Sequence, residues 1–182
     1  MYKEKQISYR ILVLGTPGSG KSTLTRKLSQ MLKIEAIHLD KYFWQSDWIE
    51  TPLDEWEKKV DKLVHRESWV MDGNYINSLS ERIKYATHFV YIDIPWYKSI
   101  YRIISRMIQY RNKTRPDMNI KCKERPDFEF VKFLLGAIKF NFRDKKNLMN
   151  ILIGKKYEVL KNAQSIDKWI DNDFQSKPAT DK

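Results

Sequence analysis

Cysteine is almost absent from this chain of 182 residues. The single Cys122 excludes an internal disulfide framework and a four-cysteine zinc site. The three histidines, His38, His65 and His88, lack metal-ligand spacing. No window reaches the ~18 uninterrupted apolar residues that a membrane span needs, and Met1–Arg10 lacks an apolar secretory stretch. Acidic residues are the minority charge, 23 Asp and Glu against 34 Lys and Arg, for a formal net charge of +11. With 31% charged and 42% hydrophobic residues the composition is that of a folded domain, not of a disordered chain. These absences leave a basic, soluble, cytoplasmic domain with no membrane partner, whose charge invites polyanions. They point to no oligomeric state.

Strands alternate with amphipathic helices along the chain. Arg10–Leu14 is an apolar run without polar alternation, as in a strand covered on both faces. Further strands are expected at Ile34–Leu39, Ser68–Met71, His88–Ile94 and Tyr157–Leu160. Helices are expected at Lys21–Leu32, Leu53–Arg66, Trp96–Tyr110, Asp127–Ile153 and Ala163–Asp173. Ile100, Ile103, Ile104, Met107 and Ile108 mark the expected buried side of the third helix, and Phe128, Val131, Leu135, Ile138 and Phe142 that of the fourth. Strands separated by helices imply right-handed crossovers and a parallel sheet, hence an α/β fold in one domain over residues 1–174. The polar tail 175–182 is expected to fray.

One stretch breaks the rhythm. Arg111–Pro126 is polar, holds two prolines and lacks an apolar period, which reads as a lid. Between Lys98 and Lys146 there are fourteen Lys or Arg against five Asp or Glu, so +9 of the +11 lies there.

The strongest signal is Gly15-Thr16-Pro17-Gly18-Ser19-Gly20-Lys21-Ser22, followed by Thr23, which matches G-x-x-x-x-G-K-[ST] between a strand and a helix. Glycines let consecutive backbone N–H groups converge on phosphate oxygens, and the helix N-terminus adds about half a positive charge. In such a loop Lys21 reaches the β- and γ-phosphates of ATP and the Ser22 hydroxyl ligates Mg²⁺. A GTPase needs N-K-x-D, but Asn112-Lys113-Thr114-Arg115 ends on Arg. An AAA-type ATPase is normally longer and carries an apolar run ending in Asp-Glu, which is missing.

Three acids close expected strands, where open α/β sheets bind ligands. Asp72 reads as the Walker-B-like acid that holds Mg²⁺ with Ser22, and Asp40 as a general base for an acceptor hydroxyl, while Asp93 fits a loop cap. Tyr42, Phe43, Trp44 and Trp48 either stack on an acceptor or wall the core under a loop. His38 could orient Asp40, or be structural. Arg102 and Arg106, one helical turn apart, and Arg115 in the lid form a set that could neutralise a transferring phosphoryl group.

With these residues assembled, the chain resembles the adenylate-kinase-like P-loop kinases, in particular the bacterial group labelled DNA topology modulation protein (FlaR-like). The resemblance rests on G-T-P-G-S-G-K-S-T at 15–23, H-L-D-K-Y-F-W at 38–44, W-V-M-D-G-N-Y at 69–75, Y-I-D-I-P-W at 91–96, Y-R-N-K-T-R-P-D-M at 110–118 and D-F-E-F at 127–130. It implies a P-loop NTPase αβα sandwich with a five-stranded parallel sheet in the order 2-3-1-4-5, a lid at about 111–126, and ATP as donor. Adenylate kinases have D-G-F-P-R where this chain has Asp72-Gly73-Asn74-Tyr75-Ile76, and its Lys21-Ser22-Thr23 is more like shikimate- and gluconate-type kinases. The resulting expectation is an ATP- and Mg²⁺-dependent phosphotransferase with a small acceptor. A nucleotide-gated DNA-binding regulator and an AMP-accepting kinase are the alternatives.

Overall fold

The computed structural model describes residues 8–118 and 121–175. Five parallel strands form one sheet in the order β2-β3-β1-β4-β5: β1 (Arg10–Gly15), β2 (Glu35–His38), β3 (Trp69–Asp72), β4 (His88–Ile92) and β5 (Glu158–Leu160). The helices are α1 (Lys21–Leu32), α2 (Asp40–Phe43), α3 (Leu53–Val64), α4 (Ile76–Tyr85), α5 (Trp96–Gln109), α6 (Phe128–Lys139), α7 (Lys145–Ile151) and α8 (Ala163–Ile170). This is the P-loop NTPase αβα fold, with the strand order that the family resemblance implies.

The apolar run of β1 has its explanation in the two faces of the sheet. Leu12 and Leu14 pack with Ile37, Leu39 and Met71 into the layer of Trp56, Val60, Leu79, Leu148 and Leu152, on α3, α4 and α7 and just beyond it. Ile11 and Val13 pack with Val70, Val90 and Ile92 against Leu24 and Leu28 of α1 and Trp169 and Ile170 of α8. Alternate side chains of one strand enter opposite layers, so both must be apolar.

Four local expectations need correction. The helix α4 went unread because its apolar period is short, Ile76, Leu79 and Ile83, and no side chain caps its start. The expected helix 127–153 is two helices joined by a π-turn at Phe140–Asp144, which shifts the phase of the stripe. Phe128, Val131 and Leu135, which precede the π-turn, and Phe142 within it are exposed, and Ala137, Phe140 and Leu148 are the buried residues. On α5 the buried residues are Ser99 and Ile103, whereas Ile104 and Ile108 face outward, because α5 packs against the phosphate loop and not against the sheet.

Among its described residues the lid segment has no helix or strand of its own but is internally paired. Backbone bonds run from Asn112 N–H to Glu124 O (2.8 Å) and from Glu124 N–H to Lys113 O (3.0 Å). Residues 119–120 of the lid and 176–182 of the tail lie outside the described residues. Among the described residues no helix is long and apolar enough to cross a membrane.

Candidate active site

The loop between β1 and α1 owes its shape to two contacts that only small residues allow. Gly18 has φ 75°, and a Cβ there would stand 2.7 Å from Ser99 O and 2.8 Å from the Ile103 Cγ1 of α5. The Ser99 hydroxyl also donates to Pro17 O. Sequence reading gives Gly18 to phosphate binding; in the fold it also seats α5 on the loop.

Lys21 is half-buried, and its Nζ donates to Gly15 O and Thr16 O, both at 3.0 Å. Burial pushes its pKa down to about 8, against the pull of Asp72 and Asp40, with Arg106 adding to the lowering. Thr16 Oγ1 and Ser19 Oγ are buried without a hydrogen-bond partner among the described residues. An inward-facing loop with an ammonium and orphaned hydroxyls is a cradle for phosphate oxygens.

The arginine set divides. Arg102 donates from Nη1 to Ser19 O (3.1 Å), bracing the loop from α5. Arg106 is deeply set, with its Nε buried and unpartnered among the described residues. Burial and then Arg115 lower its pKa, while Glu124, Asp117 and Asp40 act the other way. Arg115 is already held by acids, with Nε 2.5 Å from Glu124 Oε1 and Nη1 3.5 Å from Asp117 Oδ2. Asp117 in turn accepts a hydrogen bond from the Ser22 side chain. Burial alone would raise the Asp117 carboxyl, but Arg115, its own backbone and Ser22 hold it below the ordinary carboxylate range. The lid therefore rests directly on the phosphate loop.

Asp72 and Asp40 sit on either side of this centre. Asp72 is buried and takes a hydrogen bond of 2.7 Å from His38 Nδ1, so His38 orients Asp72 and not Asp40. Asp40 opens α2 and accepts from the Tyr75 hydroxyl at 2.6 Å. Burial and the Asp40 carboxylate both raise the Tyr75 phenol. Asp93 lies apart, with both oxygens bonded by Lys145 at 2.8 and 2.9 Å.

Residues missed in the sequence complete the site. Asn74 clasps the first loop glycine from both ends: Gly15 N–H donates to its Oδ1 (3.3 Å) and its Nδ2 donates to Gly15 O (2.8 Å). The rings of Phe43, Trp56 and Tyr75 stack mutually at 4.6 to 5.1 Å, walling the core as one of the two readings of that loop had it. They line one side of an open cleft of about 440 Å³ that also meets Thr51, Pro52 and Leu53. The cleft touches the centre through Tyr75. Two hydrogen bonds join the lid to the loop before α3: Trp48 Nε1–H to Lys123 O (3.0 Å) and Cys122 Sγ to Gln45 O (3.1 Å).

The donors near the loop are hydroxyl and carboxylate oxygens, which suit a hard divalent cation such as Mg²⁺. Among the described residues no group of three His, Cys, Asp or Glu could hold a metal alone. A Mg²⁺ that arrives with nucleotide needs only one or two protein oxygens, since phosphates and water supply the rest.

A family model described as "AAA domain" matches residues 11–98, from β1 to the start of α5. That stretch is under half of the chain; it holds the phosphate loop and leaves out the lid. Its β3 ends on Asp72-Gly73, without an Asp-Glu pair. No curated protein matches the chain. Among solved structures, a shikimate kinase from Bacteroides thetaiotaomicron is similar at a TM-score of 0.55 and 15% identity, covering 90% of this chain and 95% of that one. A shikimate kinase from Acinetobacter baumannii, in complex with shikimate, gives 0.53 and 15%, covering 94% and 96%. At such identity the likeness is one of fold, over nearly the full length of both chains.

Proposed function

We propose that this chain transfers the γ-phosphoryl group of ATP, with Mg²⁺, to a hydroxyl of a small acceptor. The observation that carries the reading is the meeting of Lys21, Arg106, Asp40 and Asp72 around one loop, close enough to perturb one another's charge. Phosphoryl transfer needs positioning and charge neutralisation more than covalent chemistry, and this set offers both. Gly15 to Thr23 binds the phosphates, with Lys21 on the β- and γ-groups. Arg102 braces the loop, and Arg106 turns its free Nε to the transferring group. Arg115 joins it once the nucleotide competes with Glu124 and Asp117 for its guanidinium.

Ser22 and Asp72 would hold Mg²⁺, which would neutralise phosphate charge there. Asp40 takes the proton of the acceptor hydroxyl, oriented for it by Tyr75. The acceptor enters by the Phe43–Trp56–Tyr75 cleft, which meets the centre through Tyr75, the hydrogen-bond partner of Asp40. The full-length likeness in fold to two kinases of a small hydroxy acid is consistent with a small acceptor. The resemblance to the DNA topology modulation group enters this reading as a sequence relationship only.

Calorimetry with ATP and Mg²⁺ tests the donor half. Wild-type protein should bind and Lys21→Ala should not; equal affinity in the two would overturn the assignment. A panel of nucleosides, nucleotides, sugars and hydroxy acids, read as acceptor-dependent ADP release, tests the acceptor half. Release on AMP alone would point to the nucleotide kinase instead.

A further inference from the structure

The turn that follows β3 has an unusual support. Gly73 has φ 126° and Tyr75 has φ 22°, so two of its three residues lie in the left-handed region, and Tyr75 pays the steric cost of a Cβ there. A Cβ on Gly73 would stand 2.9 Å from the Leu39 Cβ, so the residue that links β2 to α2 crowds the turn as well. What opposes this strain is Arg82 of α4, which is fully buried. Its Nη1 donates to Gly73 O (2.8 Å), its Nη2 to Asn74 O (2.7 Å) and Tyr75 O (2.8 Å), and its Nε to Ser78 O (3.3 Å). No carboxylate pairs with it among the described residues. Burial pushes the guanidinium down to about 9, a cost accepted for four carbonyl contacts.

The two residues that Arg82 fixes look in different directions. Asn74 clasps Gly15 at the start of the phosphate loop, and Tyr75 holds Asp40 on the acceptor side. We infer that Arg82 is a positioning residue that sets the phosphate loop and the acceptor-side Asp40 in one common geometry, through the Gly73–Tyr75 turn it clamps. A lysine cannot replace it, because an ammonium is a point donor while the guanidinium fork spans three successive carbonyls. The inference rests on the phosphotransfer reading above for the roles of Gly15 and Asp40, but its test is separable.

Three variants and two readouts decide it: ATP affinity by calorimetry, and the NMR signals of the Gly15 amide and the Tyr75 ring. Asn74→Ala removes one neutral clasp and should weaken ATP by about five-fold, with the Gly15 amide shifted and the Tyr75 ring signals held. Tyr75→Phe should leave the Gly15 amide in place and ATP affinity within about two-fold, since its contact is on the other side. Arg82→Lys should displace both sets of signals and weaken ATP at least as much as Asn74→Ala. If Arg82→Lys only lowers the melting temperature, with both sets of signals and ATP affinity at wild-type values, Arg82 is structural and the inference falls. Should Arg82→Lys not fold, hydrogen exchange on the folded chain decides: ATP should protect α4 amides in wild type and lose that effect in Asn74→Ala. Protection confined to 15–22 would overturn the coupling. Wild-type protein that does not bind ATP at all would instead refute the phosphotransfer reading.

Discussion

Lys21 illustrates how a residue can be legible in type and not in state. The motif states that an ammonium belongs there, but only burial tells that it titrates near 8. The protonated form binds phosphate, so ATP affinity should be flat below pH 8 and fall by up to about ten-fold between pH 8 and 9. Calorimetry at pH 7, 8 and 9 checks this. The stability of the free protein should run the other way. Between about pH 8 and the ordinary lysine value of 10.5 the unfolded chain holds more protons at this position, so this group makes folding more favourable as pH rises through that window. Arg82 is the opposite case. As a charged residue on a helix it reads as solvent-facing, yet it lies on the stripe Ser78, Leu79, Arg82 and Ile83 that α4 buries. The signal was present as a cation at helical spacing from two apolar residues, next to a glycine turn.

At the scale of elements, α5 is held by the phosphate loop and holds it in return. Gly18→Ala would drive a methyl to within 2.7 Å of Ser99 O in a left-handed backbone conformation. The cost should be about 1 to 3 kcal/mol, read as a fall in melting temperature, together with loss of ATP binding as the loop shifts. The long apolar stripe on the exposed side of α5 and α6 marks the limit of periodicity as a guide. Helical period reports that one side is apolar, not that anything covers it, and here other residues are covered, Ser99 and Ile103 of α5 by the phosphate loop. Strand β1 was easier, since a run with no polar alternation admits one environment only. Most of its register partners on β3 and β4 are apolar too, while Val13 pairs with Asp72 and Ile11 with His88.

For the molecule as a whole, the lid and the loop before α3 form one clasp over the phosphate loop. Arg115 is 7% exposed, and its partners Glu124 and Asp117 are nearly as buried. Arg115→Ala leaves two buried carboxylates unpaired, which should cost about 3 kcal/mol or more and open residues 111–125 to hydrogen exchange. Trp48→Phe removes only one bond to Lys123 and should raise exchange in the same stretch by a smaller factor. The net charge is also read at this scale. Most of it lies from α5 to α7, where three of the cations face inward partners: Arg102 meets Ser19, Arg115 meets Glu124 and Lys145 meets Asp93. Duplex DNA binding should therefore be weak and vanish between low and physiological salt, with or without ATP. Tight binding that survives physiological salt, in a filter or anisotropy titration, would support the regulator reading instead.

The sequence alone determined the phosphate loop and the five strands. Each is written in local composition: glycine spacing and apolar runs. Tertiary structure decided which of the many charged and aromatic side chains meet. His38 faces Asp72 across 34 residues, Tyr75 faces Asp40 across 35, and Asn74 faces Gly15 across 59. No local pattern encodes those distances, because they arise where separate strands end side by side in the sheet order β2-β3-β1. The same folding turned Arg82 inward, where four carbonyl contacts oppose the cost of burying its charge.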